Sequence, residues 1–189
     1  VKGIGNDPTS QSLNWPYGVF SDGKQLWIAD TGNRRVLYYK TIPTKSYAKA
    51  DDVMGKPDFT TRDYENNDVI WPYSIKINSE GNMAIADTQF YRVLVWNDWK
   101  TAFNKNADII IGQDNFDACG QNQFRLSPES NTLNWTYDAC FYKDGILAND
   151  TGNSRILGFN EIPKKNNEAS DWLIGRPNFN TSSEYKENM

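Results

Sequence analysis

The chain has 189 residues, 14% of them aromatic, and a formal net charge of −4. Nucleic-acid binding depends on clustered Lys and Arg, so this acidic balance disfavours nucleic acid as a partner. No apolar run reaches the 18 residues of a membrane-spanning helix, and we therefore expect no membrane insertion.

The first part of the chain, residues 13–59, predicts four short strands that follow one another. Asp22-Gly23 separates two apolar runs, which is a strong signal for a β-hairpin. A second cluster of turn-forming residues, Asp30 to Asn33, ends the second strand. The predicted strands are Tyr17–Phe20, Leu26–Ala29, Arg35–Tyr39 and Asp52–Gly55.

The same pattern recurs twice, in residues 70–116 and 133–179. Asp87 lies 57 residues after Asp30, and Asp150 lies 63 residues after Asp87. The predicted strands are Tyr73–Ile77, Met83–Ala86, Arg92–Trp96 and Asp108–Gly112, then Tyr137–Tyr142, Ile146–Asn149, Arg155–Phe159 and Asp171–Gly175. No segment has a convincing helical period. The repeat predicts an all-β chain of three four-stranded antiparallel propeller blades, forming one domain over residues 1–189.

These blocks resemble NHL repeats. The resemblance is carried by Leu13–Val19, Asp22-Gly23 and Ala29–Leu37, and its continuation through Asp52–Phe59 is similar to a bacterial subset with long repeats. The resemblance implies a propeller that closes with six blades. It also implies structural roles for the Asp, Asn and Arg of the central motif, which here are Asp30, Asn33, Arg35, Asp87, Arg92, Asp150, Asn153 and Arg155. Phe90 stands where the middle copy should have Asn, so we expect that turn to be held differently.

Three blades make only part of such a ring. We expect the chain to be a segment whose partners are the remaining blades of a longer chain, with head-to-tail pairing of two copies as the alternative. The segment Lys2–Asp7 resembles Ile110–Asp114 and is interpreted as the end of a fourth strand from a preceding blade.

The Asp and Arg motifs have two interpretations, as an acid–base or metal site or as turn-holding groups. Their recurrence in every block favours the structural interpretation, since a catalytic site breaks a repeat. No metal or other cofactor is predicted, and the chain has no histidine.

Aromatic pairs at the start of each inner strand are the candidate binding residues. They are Trp15 and Tyr17, Trp71 and Tyr73, and Trp135 and Tyr137. Residues two apart lie on the same side of an extended segment, so the pairs could form an aromatic rim. Packing between blades is the alternative, which we favour for the Trp residues and leave open for the Tyr residues. Asp138, where the other blocks have Gly18 and Ser74, is the one polar outlier proposed for this rim.

Cys119 and Cys140 form either a disulfide or two free thiols, and their spacing does not decide between them. A disulfide would favour an extracytoplasmic or secreted protein.

Two functions fit these observations. The first is a non-enzymatic binding or scaffold module that uses the propeller face to bind a protein, a peptide or a glycan. The alternative, which the resemblance implies, is a segment of a propeller enzyme of lyase or lactonase type whose catalytic residues lie mainly in other blades.

Overall fold

The computed structural model describes residues 7–181, and in this range the chain is all-β. Alternating apolar residues bounded by turn residues form the strands, as expected for half-buried sheets. The strands are β1 (Pro16–Ser21), β2 (Leu26–Asp30), β3 (Arg35–Tyr39), β4 (Asp52–Met54), β5 (Pro72–Ile77), β6 (Met83–Asp87), β7 (Arg92–Trp96), β8 (Ile109–Ile111), β9 (Ala139–Tyr142), β10 (Gly145–Asp150), β11 (Arg155–Phe159) and β12 (Trp172–Ile174).

The strands form three four-stranded antiparallel sheets, β1–β4, β5–β8 and β9–β12. Within each sheet the strands are paired in chain order, which is the meander of a propeller blade. The predicted fold class, three blades of a partial β-propeller, is confirmed. We refer to the sheets as blades one, two and three.

Strand bounds agree with the sequence pattern to within one residue, except at the start of the third inner strand. That strand was predicted from Tyr137 and begins at Ala139. Before Ala139, Asp138 keeps a backbone hydrogen bond, accepting from Asn149 N at 2.9 Å. The ladder does not extend to Thr136, whereas in blades one and two the corresponding prolines still pair with the second strand.

A 3-10 turn follows the second strand of each blade. The three turns are Thr31–Asn33, Thr88–Phe90 and Thr151–Asn153. Each ends at a residue in the left-handed region, Arg34, Tyr91 or Ser154, with φ of 57°, 50° and 54°. Two further turns, Trp99–Phe103 and Gln121–Phe124, lie in the loops that vary between blades. The predicted turn clusters therefore contain short helical turns that the sequence pattern did not distinguish.

The apolar core lies between the blades. Between blades one and two, Trp27 and Met54 pack with Ile85 and Leu94. Between blades two and three the buried residues include Val93, Ile111, Leu133, Ala148 and Leu157. Each blade is thus held mainly by the face of its neighbour, as expected for a repeat whose unit cannot bury its own apolar surface.

Two sequence-based points concern the ends of the chain and its membrane contact. The strand end interpreted at Lys2–Asp7 lies almost wholly outside the described residues. Within residues 7–181 no helix has the length and apolar character needed to cross a membrane.

Candidate functional site

The conserved-looking Asp and Arg of blade one form a closed, buried network. Arg35 is fully buried, and its Nε donates to Asp30 Oδ2 at 2.6 Å. Nη1 donates to the carbonyl of Phe59 at 2.5 Å, and Nη2 donates to those of Thr9 and Ser12 at 2.9 and 3.0 Å. The guanidinium therefore fastens the loops before and after the blade to the turn between β2 and β3. Charge-assisted bonds of this kind are among the strongest in proteins.

The other blades repeat this network. Arg92 Nε donates to Asp87 Oδ2 at 2.9 Å, and Arg155 Nε donates to Asp150 Oδ2 at 2.6 Å. All four side chains are buried. Asn153 donates to both carboxylate oxygens of Asp150, at 2.9 and 2.8 Å.

The middle turn is held differently, as its Phe90 suggested. The Arg92 guanidinium lies over the Phe90 ring, 4.7 Å from its centroid, instead of beside an amide. The free oxygen of Asp87 accepts two backbone N–H groups, from Ile70 at 3.1 Å and from Trp71 at 2.6 Å. A cation–π contact and one extra backbone bond thus replace the asparagine.

These networks leave little for other chemistry. The carboxylates are buried and bonded to Arg and backbone N–H groups, so they are not positioned to exchange protons with a ligand. Among the described residues, no group of three or more His, Cys, Asp or Glu side chains could hold a metal ion. Their geometry is that of groups that hold turns.

Three tyrosines from three blades form a continuous row, which we call the tyrosine rim: Tyr17, Tyr73 and Tyr137. The rings of Tyr17 and Tyr73 are stacked, with centroids 4.2 Å apart. Tyr73 and Tyr137 meet edge to face at 5.0 Å. Tyr17 is 58% exposed, Tyr137 is 38% exposed and Tyr73 is half-buried between them. Burial, and then hydrogen bonding with Tyr17, raises the pKa of Tyr73, so its hydroxyl stays protonated as a donor at neutral pH.

The tryptophans mark the junctions between blades. Trp71 lies against Arg34 of blade one, with the guanidinium 5.6 Å from a ring centroid. Trp135 lies against Tyr91 of blade two, with centroids 5.4 Å apart. Trp15 is 67% exposed, because within the described residues no blade precedes it. The packing interpretation therefore describes Trp71 and Trp135, and does not describe Trp15 in this structure.

A hollow of about 350 Å³ lies beside the tyrosine rim. Lys76 Nζ and Asp138 Oδ1 form an ion pair of 3.1 Å in its lining, linking blades two and three. Ser74 also lines the hollow, and within residues 7–181 its buried hydroxyl oxygen has no hydrogen-bond partner. The site thus combines exposed aromatic rings with an ion pair and an unsatisfied hydroxyl.

The sequence analysis missed Lys76 and undervalued Ser74. A signal was available, since Lys76 follows the start of its inner strand at the place that Phe20 and Cys140 occupy in the other blades. A lysine at an otherwise apolar repeat position is a blade-specific outlier in the same sense as Asp138.

The possible disulfide is not formed. Cys119 is exposed on the long loop between β8 and β9, whereas Cys140 is half-buried within β9, and both are free thiols. Burial, and then the charge of Asp138, raises the pKa of the Cys140 thiol.

This difference predicts selective alkylation. The thiolate is the reactive form, so iodoacetamide near neutral pH should modify Cys119 several-fold faster than the half-buried Cys140, whose pKa is raised. Peptide mapping by mass spectrometry over time measures both rates. Equal rates, or no reaction until a reductant is added, would contradict the structure.

Comparisons with known proteins find similarity only at the level of structure. No protein-family model matches the sequence, and no curated protein matches it. A solved streptogramin B lyase structure aligns with 92% of this chain at 12% identity and a TM-score of 0.46. A virginiamycin B lyase from Staphylococcus aureus aligns with 84% at 15% identity and a TM-score of 0.44. The chain covers 43% and 45% of those proteins, less than half of their length.

Proposed function

We propose that this chain is an NHL-type propeller segment that acts as a binding module, with a glycan or a peptide of a partner protein held on the tyrosine rim. The observation that supports this most directly is the contact row of Tyr17, Tyr73 and Tyr137 beside a hollow. Each blade contributes one ring, so the blade repeat places them along one line.

The row has the physical properties of a binding surface. Aromatic rings bury a large area with few rotatable bonds, and these rings already support each other through stacking. Little side-chain entropy is therefore lost when a sugar ring or an apolar side chain lies on them. The exposed outer ring of Tyr17 offers the most accessible face.

Polar groups beside the row would orient a ligand. The Lys76–Asp138 pair is partly exposed, with 35% and 50% of the side chains accessible, and can exchange its mutual contact for a ligand hydroxyl or amide. The Ser74 hydroxyl offers a further donor and acceptor. Hydroxyl-rich and amide-rich ligands, that is glycans and peptides, suit this set of groups.

Replacing Tyr17 by Ala should weaken binding about 5- to 30-fold, because one engaged ring contributes roughly 1 to 2 kcal/mol. Changing Tyr17, Tyr73 and Tyr137 together should abolish measurable binding. Titration calorimetry against panels of glycans and peptides tests both variants.

Tyr142 provides the matched control. It is 47% exposed and lies at the far end of β9 from the rim, so Tyr142→Ala should leave binding unchanged. Circular dichroism establishes that each variant is folded. Undiminished binding by a folded triple variant would move the site to another face of the blades.

An enzyme segment is the second candidate, and one observation favours it. Ser74, Lys76 and Asp138 differ from their counterparts in the other blades and line the same hollow. If they take part in a reaction, Asp138→Asn should lower turnover while leaving ligand affinity nearly intact. Loss of affinity without any turnover in the parent protein would instead support the binding module.

A further inference from the structure

Both junctions between blades are fastened by the same threonine contact. Thr31 Oγ1 of blade one donates to the carbonyl of Pro72 in blade two at 2.5 Å. Thr88 Oγ1 of blade two donates to the carbonyl of Thr136 in blade three, also at 2.5 Å. Both threonines are buried. Thr151, the third member of the series, is exposed and reaches only an amide oxygen of its own blade.

Both junctions also seat a branched side chain on a glycine. A Cβ added to the glycine would lie within 3.1 Å and 2.6 Å of that side chain, so only glycine permits these contacts. The two pairs are Val69 on Gly55 and Leu133 on Gly112. The outermost members of the series are open: Gly175 is exposed, and Leu13 is 42% exposed.

The apolar faces show the same contrast. Ile174 of blade three is 56% exposed, and Val19 of blade one is 66% exposed. Their counterparts at the two junctions, Met54 and Ile111 for the first and Ile75 and Ala139 for the second, are at most 3% exposed. These two exposed side chains therefore lie on faces that elsewhere in the chain are covered by a neighbouring blade.

The open face of blade three contains a formed hollow of about 430 Å³. We call this face the trailing flank, defined by Thr151, Ser154, Ile156, Ile174 and Gly175, all of which line the hollow. The leading flank is the open face of blade one, defined by Leu13, Trp15, Pro16 and Val19, which are all exposed. One flank carries a free hydroxyl donor and a glycine, and the other carries the exposed carbonyl and the branched side chain that such positions bind.

We propose that the leading flank of a second copy of this chain docks on the trailing flank, head to tail, and that two copies close one ring through two identical junctions. In each junction Thr151 donates to the carbonyl of Pro16, Leu13 lies on Gly175, and Trp15 packs beside Ser154. The two internal junctions already show these contacts at the same repeat positions. An unrelated apolar partner has no reason to offer a carbonyl, a branched side chain and an indole at those offsets. The inference is independent of what the tyrosine rim binds.

Sedimentation equilibrium of the 189-residue chain tests the pairing. We expect a particle of twice the 21.6 kDa chain mass over the range of about 1 to 100 μM. An aspartate placed in either flank must be desolvated in the junction, so Ile174→Asp and Val19→Asp should each weaken association about 100-fold or more. Thr151→Val, which removes one hydrogen bond and keeps the shape, should weaken it about tenfold. Leu126→Asp is the matched control, since Leu126 is fully exposed on a loop away from both flanks, and should associate like the parent.

Mixing the two aspartate variants separates this pairing from unspecific association. In the mixed pair both substitutions fall in one junction and the other junction is unaltered, so the mixture should associate more tightly than either variant alone. A chain that stays monomeric throughout the range would overturn the proposal and indicate that other blades cover the flanks. Aspartate variants that pair like the parent, a mixture without rescue, or open polymers of growing size would overturn it as well.

Discussion

Replacing Arg35 by Ala should lower the free energy of unfolding by about 2 to 4 kcal/mol. The substitution removes the ion pair with Asp30 and three hydrogen bonds to backbone carbonyls. It also leaves the Asp30 carboxylate buried with only neutral donors, among them the side-chain amide of Asn33. An uncompensated buried charge costs more than the pair contributed. Denaturant unfolding followed by circular dichroism measures the loss.

Arg125→Ala is the matched control. Arg125 forms an ion pair with Glu129, but the two side chains are 42% and 43% exposed, so we expect a loss of at most about 1 kcal/mol. Arg35→Lys should fall between the two, because it retains the charge without the planar set of donors. A parent-like free energy of unfolding for Arg35→Ala would show that the buried network does not hold the blade, and would reopen a functional role for the motif.

The blades themselves were predictable because their signals are local. Asp-Gly pairs and the Asp-Thr-Gly-Asn clusters fix where strands end, and alternation fixes which residues face inward. The strands β3, β7 and β11 match the prediction residue for residue, each beginning at the motif arginine and ending after five residues. The repeat then supplied the count of blades.

Contacts between blades were not predictable in the same way. The sequence places Tyr17, Tyr73 and Tyr137 at equivalent positions, but the angle between blades decides whether their rings touch. The same holds for the pair of Lys76 and Asp138, which are distant in sequence and meet only across a junction. One residue of difference in bridging before Ala139 also depended on such a contact, since Thr88 engages the carbonyl of Thr136 from blade two.

The cysteines show a different kind of gap. A spacing of 21 residues is compatible with a disulfide or with two thiols, and only the placement of the long loop separates these cases. The loop carries Cys119 to the surface, whereas the strand keeps Cys140 half-buried. Loop conformation depends on many weak contacts, which sequence patterns do not encode.

Replacing Trp27 by Ala should destabilise the chain by about 3 to 5 kcal/mol. Trp27 is 1% exposed and lies at the centre of an aromatic cluster between blades one and two. Its ring centroid is 5.2 Å from that of Tyr38, 5.2 Å from that of Trp99 and 5.5 Å from that of Phe20. Truncation leaves a cavity that the two sheets cannot close, since each is fixed by its own ladder. Urea unfolding measures the loss.

Two further variants sharpen this test. Within the described residues the buried Trp27 indole N–H has no hydrogen-bond partner, so its removal breaks no polar contact and Trp27→Phe should cost clearly less than Trp27→Ala. Phe124→Ala, at an aromatic residue that is 84% exposed, should change the free energy of unfolding by no more than about 0.5 kcal/mol. If Trp27→Ala matched Phe124→Ala, the junction between blades one and two would not be a packed core. Because the tyrosine rim spans that junction, a loosely packed interface there would also remove the rigid row of rings on which the proposed binding depends.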